Sequence, residues 1–285
     1  MKRTLLWAAA IAIAACPARG QSACSPPGMY AGVDLLFLSP KISDQGLSDI
    51  FFYGNVPATA EYGGSLDAPL EFAQRVTLGY QGELGGGTRV RWFTFDNDLD
   101  YVGTWENGGP VVDIEGNLNL DVDAIDAEFT QSGNFRTWTW MAAAGARYGR
   151  VSFLEEEINF EDVPAAVFLG TTGVEFEGAG PTFAVEACRS IFWEGFSLFG
   201  NCRTALLFGD TDVFSAFDGD GRYHINNDFV QIWELQAGGR YLVPLTDSCD
   251  LVGATFWEAQ RWDSDSNFLG DLAFHGFGTQ IGLVY

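Results

Sequence analysis

The sequence predicts an all-β fold: a closed antiparallel transmembrane β-barrel of about ten strands (8–12), with N- and C-termini periplasmic. Three observations predict it. The chain opens on an export signal, continues in alternating segments joined by short and long connections in turn, and closes on an alternating apolar strand that ends in tyrosine.

Lys2 and Arg3 precede the apolar run Leu5–Ala15, which is too short to span a bilayer and reads as the core of a signal peptide. Ala18-Arg19-Gly20 places small residues for cleavage before Gln21. Ile13-Ala14-Ala15-Cys16 also reads as a lipobox, which would make Cys16 a lipidated N-terminus, and either route exports the chain. The expected organisation is a signal peptide over 1–20, a short periplasmic segment over 21–28 and a single barrel domain over 29–285. No later segment approaches eighteen consecutive apolar residues, so a membrane crossing has to be made by strands.

Composition narrows the function classes. Loss of residues 1–20 removes Lys2, Arg3 and Arg19 and takes the net charge from −23 to −26, with Lys41 the only remaining lysine. Nucleic acid is excluded as a partner, because phosphate binding demands a basic surface. Disorder is excluded by 47% hydrophobic and 15% aromatic residues. Cys24, Cys188, Cys202 and Cys249 lack metal-ligand spacing, so neither a metal nor a cofactor is expected.

Period-2 alternation places strands near 29–38, 68–81, 88–98, 117–131, 135–150, 175–188, 196–209, 229–243, 250–261 and 273–285. Short connections at 82–87, 132–134, 189–195 and 244–249 alternate with long ones at 39–67, 99–116, 151–174, 210–228 and 262–272. That layout is the one outer-membrane barrels use. In 135–150, Trp138, Trp140, Ala142, Ala144, Ala146 and Tyr148 share a face that suits lipid with aromatic girdles, and Arg147 lies opposite. Segment 117–131 reverses phase, with Leu118, Leu120 and Val122 on one face and Ile125, Ala127 and Phe129 on the other. A bulge near Asp123–Ala124 would restore the pattern. In the last strand Phe277, Thr279, Ile281, Leu283 and Tyr285 alternate, and Phe277, Ile281, Leu283 and Tyr285 form the C-terminal signal that barrel assembly machinery reads.

Charged residues on these strands belong inside, because an arginine facing lipid at midplane costs about 2–4 kcal/mol. The expected lumen lining is Asp34, Glu71, Arg75, Arg89, Arg91, Asp126, Glu128, Arg147, Glu186, Arg203, Glu234, Arg240 and Glu258. Across short turns, Asp126 and Glu128 are expected to meet Arg147, and Glu186 to meet Arg203. The same phasing puts Cys188 inside and Cys202 outside, which argues against a bond between them. Cys24 and Cys249 share the periplasmic end. The long connections and the residues that flank them carry most of the surplus acid, for example Asp96, Asp98 and Asp100 around the second, Glu155, Glu156 and Glu157 in the third, and Asp210, Asp212, Asp218 and Asp220 in the fourth. A solvated rim accounts for them without a ligand, and the calcium-like spacings lack the later glutamate.

Several stretches carry a family resemblance. LDVDAIDAEFTQ with WTWMAAAGARYGRV, GAGPTFAVEA with GFSLFGNCRTALLFG, and GATFWEAQRW resemble the paired-strand motifs of pore-forming outer-membrane proteins similar to the Legionella major outer membrane protein, a family also found in planctomycetes. The resemblance covers residues 29–285 and implies a porin-like barrel without catalytic residues.

The expectation is therefore a bacterial outer-membrane barrel forming a narrow, weakly cation-selective pore with acidic extracellular loops, and no enzyme. Its partners would be outer-membrane lipid, the barrel assembly machinery and small ions or solutes, with the oligomeric state open. One alternative is a non-conducting structural or surface-contact barrel. Another is a soluble secreted β-protein. A remote third is an omptin-like enzyme, which would need Asp96/Asp98 to converge with Asp210/Asp212 and His224 at the outer rim.

Overall fold

The computed structural model describes residues 27–42, 60–63, 66–107, 112–160, 167–191, 195–215, 221–265 and 271–285. Among these there is no helix. There are twelve strands: β1 (Gly28–Ile42), β2 (Ala60–Gly63), β3 (Leu66–Asp67), β4 (Glu71–Gln81), β5 (Gly86–Asn107), β6 (Val112–Phe135), β7 (Trp138–Phe160), β8 (Val167–Ser190), β9 (Phe196–Ser215), β10 (Gly221–Thr246), β11 (Cys249–Ser264) and β12 (Asp271–Val284).

Ten of them, β1 and β4–β12, pair antiparallel in sequence order, and β12 returns to β1 to close the barrel. Closure removes the sheet edges that would otherwise template aggregation. Val33 stands opposite Ile281 and Phe37 opposite Phe277 at the seam. The seam is locked by Met29 N donating to Tyr285 O at 3.0 Å and Tyr285 N donating to Met29 O at 2.8 Å. β2 and β3 are short additions beside β5 and β1. The signal-peptide and lipobox readings fall on residues 1–20, outside the described residues, as do the side chains of Glu155, Glu156 and Glu157 and all of Asp218 and Asp220.

Most of the expected long loops are strand. β5 runs to Asn107 and β6 starts at Val112; β7 runs to Phe160 and β8 starts at Val167. The turn expected at Ser132–Asn134 lies further on, where Arg136 adopts φ 57° between β6 and β7. Spanning hydrocarbon takes about 9–11 residues of a tilted strand. β5–β10 are 20 to 26 residues long, so about half of each projects beyond the lipid on the side away from the termini.

The phase reversal in β6 explains why these extensions read as loops. No bulge lies at Asp123–Ala124: Asp123 faces Thr94 and Arg150, and Ala124 faces Phe93 and Gly149, in unbroken register. Instead the polarity of the two faces exchanges along a regular strand. Near the termini Ile125, Ala127 and Phe129 point out to lipid while Asp126, Glu128 and Thr130 are buried inside. Further on, Leu118, Leu120, Val122 and Ala124 are buried inside, and Asn117, Asn119, Asp121 and Asp123 point out. Water wets the outer wall once the strand leaves the membrane, so the inner face becomes the place to bury apolar side chains. β5 makes the same exchange, with Val90 and Trp92 outward below and Asp96, Asp98 and Asp100 outward above. The register shifts in this sheet occur elsewhere, at Gly116/Leu118, Glu155/Glu157, Ile225/Asp228 and Pro244/Thr246.

Candidate functional site: the barrel lumen

The outer wall fixes where the lumen sits in the membrane. On β7, Trp138, Trp140 and Tyr148 are exposed and bracket Ala142, Ala144 and Ala146, and Arg150 follows immediately above. Arg150 pairs with Glu175 at 2.7 Å and approaches Asp121 at 3.8 Å on the outer wall. Burial, and next the neighbouring Asp123, push the Asp121 carboxyl upward. Phe37, Phe72, Trp233, Trp257 and Phe277 continue the exposed aromatic row around the wall.

Inside that band the lumen is crossed by a belt of ion pairs. Arg75 on β4 binds Glu258 on β11 with both terminal nitrogens, and reaches Asp34 at 3.2 Å. Arg147 donates to Asp126 at 2.6 and 2.8 Å. Glu234 on β10 receives Arg147 at 2.5 Å and Arg91 at 3.3 Å, with Arg203 Nε at 3.6 Å. Arg203 on β9 binds Glu128 on β6, which also accepts from Arg89 at 2.8 Å. Arg91 and Glu234 lie on strands five apart in a ten-stranded ring, so their bond runs from wall to wall. Burying an ion costs several kcal/mol unless a partner meets it, which explains why each belt carboxylate has more than one donor.

All thirteen expected lining residues lie on the inner face, with Glu71 half-buried at the start of β4. Their expected pairings are only partly present. Asp126 does meet Arg147, but Glu128 stands opposite Gly145 and goes to Arg89 and Arg203 instead. Glu186 stands opposite Asn201 and pairs with Arg240 at 3.0 Å, not with Arg203. The sequence reading also passed over glutamines of the same phase. Gln236 and Gln260 donate to Glu258 at 2.7 and 2.6 Å, and Gln280 donates to Asp34 at 2.7 Å.

Beyond the belt, away from the termini, the lumen holds an apolar core. Leu36, Phe95, Leu120, Phe153, Phe176, Leu207, Ile232, Trp262 and Phe274 are buried there. Trp262 extends from β11 toward β7. A Cβ at Gly149 would lie 3.4 Å from its ring and 2.7 Å from Leu207 Cδ1, so the glycine provides the space that the two side chains share. Strand parity carried past the membrane boundary would have found this core. On the terminal side of the belt lies a cavity of about 130 Å³ between Tyr30, Arg240, Phe199, Phe256 and Leu242. Arg240 stacks on Phe199 at 4.8 Å there.

With this geometry in place, comparison with known proteins gives a family. The family model for the Legionella pneumophila major outer membrane protein precursor matches residues 21–253. The chain belongs to that family. It is a bacterial outer-membrane protein. No curated protein matches this sequence. The solved structure of the outer membrane protease OmpT from Escherichia coli is similar, with 14% identity, coverage of 93% of this chain and 99% of that one, and a TM-score of 0.54. The β domain of the Bordetella autotransporter BrkA matches at 10% identity over 90% of this chain and 98% of that one, with a TM-score of 0.41. At these identities the likeness to OmpT is one of fold.

The residues of the omptin-like pattern do not converge in this family member. Asp96 and Asp98 point outward on β5, with Asp98 accepting from Asn119 at 2.9 Å. Asp212 and His224 point outward on β9 and β10, with Nδ1 of His224 2.9 Å from Oδ1 of Asp212. Three strands separate β5 from β9, so the two groups face solvent from different outer walls. The hydrogen bond to Asp212 raises the His224 pKa. Of the cysteines, Cys188 is inward and disulfide-bonded, while Cys202, outward as expected, and Cys249 are free.

Proposed function

We propose that the barrel rests closed to ions and solutes and serves as a membrane-anchored scaffold that holds its acidic outer section clear of the lipid, toward the cell exterior. The observation that carries this reading is the apolar core filling the lumen above the ion-pair belt. A conducting path needs a wetted lining, and an apolar constriction sheds water even when it is not fully packed. Here Phe95 contacts Phe274 at 5.1 Å between centroids, and Trp262 meets the glycine on the far wall. The reading departs from the narrow pore expected from the sequence. The thirteen charged residues on the inner face would then brace the barrel instead of selecting ions.

Single-channel recording of the refolded protein in planar bilayers tests the closed state. The expected result is a silent membrane at verified insertion density. A steady cation-selective conductance, weakening as salt rises, would overturn the scaffold reading and restore the pore with an acidic mouth.

Orientation is tested separately. In a background with Cys202 and Cys249 changed to serine, Asp98→Cys should react with an impermeant maleimide on intact cells. Asp247→Cys, in the turn before β11, should react only after the outer membrane is breached. The opposite pattern would place the tall section in the periplasm.

A further inference from the structure

We propose that the outer wall at the β6–β7 hairpin binds one anionic phospholipid, with Arg136 and Arg189 clamping its phosphate and an alanine trough on β7 receiving an acyl chain. Charge points to a partner outside the chain. The sequence holds 38 acidic residues against 15 basic ones, and every other arginine whose side chain is described pairs with a carboxylate. Arg136 and Arg189 are exposed and have no carboxylate partner among the described residues. Each guanidinium lies on an aromatic ring instead: Arg136 over Phe135 at 5.3 Å, and Arg189 over Trp138 at 5.8 Å. A ring against one face of a guanidinium leaves its N–H groups, which lie in the plane, free to fork onto a phosphate.

Arg136 occupies a position that suits glycine. β6 ends at Phe135 and β7 starts at Trp138, so residues 136 and 137 form a two-residue hairpin turn, and Arg136 adopts φ 57° at its first position. Glycine takes that conformation without steric cost. An arginine kept there gives up turn stability for what its side chain does. The register brings the parts together: Trp138 stands opposite Phe135 on one side and Arg189 on the other. Neighbouring strands lie about 4.8 Å apart, so the two arginine backbones are within about 10 Å and their side chains can share one phosphate.

The wall beyond the clamp fits the rest of the lipid. Trp140 lies across Gly133 on β6, where a Cβ would come within 2.7 Å of its ring, and this lean leaves the β8 side open at Ala187. Further on, Ala142, Ala144 and Ala146 form a trough, and Phe129 on β6 and Phe183 on β8, both exposed and both opposite Ala144, are its banks. Trp138 and Trp140 mark the headgroup level, so the clamp lies where phosphates are and the trough where acyl chains are. Two unpaired cations select a headgroup of net negative charge over a zwitterionic one, whose own ammonium group neutralises its phosphate. Only the leaflet, periplasmic with the tall section outside, depends on the orientation proposed above; binding in micelles does not, so the two readings fail separately.

Native mass spectrometry of the purified protein in detergent micelles, titrated with phosphatidylglycerol or with phosphatidylcholine of the same acyl chains, tests the site. The expected result is one phosphatidylglycerol adduct, favoured over phosphatidylcholine by about tenfold or more. Arg136→Gln/Arg189→Gln should lose that preference, and Arg261→Gln, at the other end of the wall, should keep it. Equal binding of the two lipids, an undiminished preference in the double variant, or displacement of the adduct by millimolar inorganic phosphate would overturn the lipid site. Arg136→Gly separates ligand binding from bracing of the turn. It should melt no lower than wild type and yet bind phosphatidylglycerol more weakly. A lower melting temperature with unchanged lipid preference would make Arg136 a brace of the turn and refute its place in the clamp.

Discussion

Trp262→Ala is expected to lower the unfolding free energy by about 3–5 kcal/mol, the range for truncating a buried aromatic. Trp262 is fully buried and fills the lumen between β11 and Gly149 on β7. Its removal strips contacts from Leu207 as well, because both side chains occupy the space that the glycine leaves open. Gly149→Leu alone should also destabilise, since an added side chain meets Leu207 at once. The double variant Gly149→Leu/Trp262→Ala should regain part of the loss, because the new side chain enters the vacated volume. Denaturant unfolding in lipid vesicles, followed by the folded-band shift, measures all three. Strict additivity of the two single effects would show that the residues do not share a space and would undo the packed-lumen account.

Glu234→Gln is expected to cost a similar amount, about 3–5 kcal/mol, by a different mechanism. Three guanidinium groups, those of Arg91, Arg147 and Arg203, gather around this one carboxylate. Arg75 Nε, Arg147 Nη1 and Arg203 Nε already lack a protein hydrogen-bond partner, so the belt's donors exceed the acceptors that reach them. The comparison that isolates burial is Glu175→Gln on the outer wall. Glu175 makes a pair of equal chemistry with Arg150, but both side chains are about a third exposed (28% and 38%). Its loss should change stability by less than about 1 kcal/mol. Equal effects at the two sites would mean that the belt is as solvated as the surface, which a closed lumen does not allow. Arg147→Ala belongs to the same series, but the partners it weakens are Asp126 and Glu234, not Glu128.

Much of the membrane-embedded half was legible because one rule governs it. Lipid accepts only apolar side chains, so a strand inside the band has to alternate, and β7 from Trp138 to Tyr148 and β12 from Phe277 to Leu283 do so. That rule also put Arg75, Arg147, Arg203 and Glu258 on the inner face, and Cys188 and Cys202 on opposite faces. The rule stops at the membrane surface. Above it the solvent on the outer wall changes from lipid to water, and the same strand shows inverted polarity with no break in its backbone. A pattern search for outward apolar residues therefore ends β5 at residue 98, begins β6 only at 117 and reads 99–116 as loop, where the structure continues both strands for most of the intervening sequence.

The sequence by itself determined the class of fold, a strand number of about ten, the direction in which the embedded charged side chains point and the family motifs, because each of these depends on spacing along the strands. Who meets whom across the lumen was decided only by the tertiary structure. Arg203 finding Glu128, Arg91 finding Glu234 and Trp262 finding Gly149 all depend on closure bringing non-neighbouring strands to within a side chain's length of one another. Local spacing cannot encode that distance, because it is set by the circumference, tilt and stagger of the closed ring.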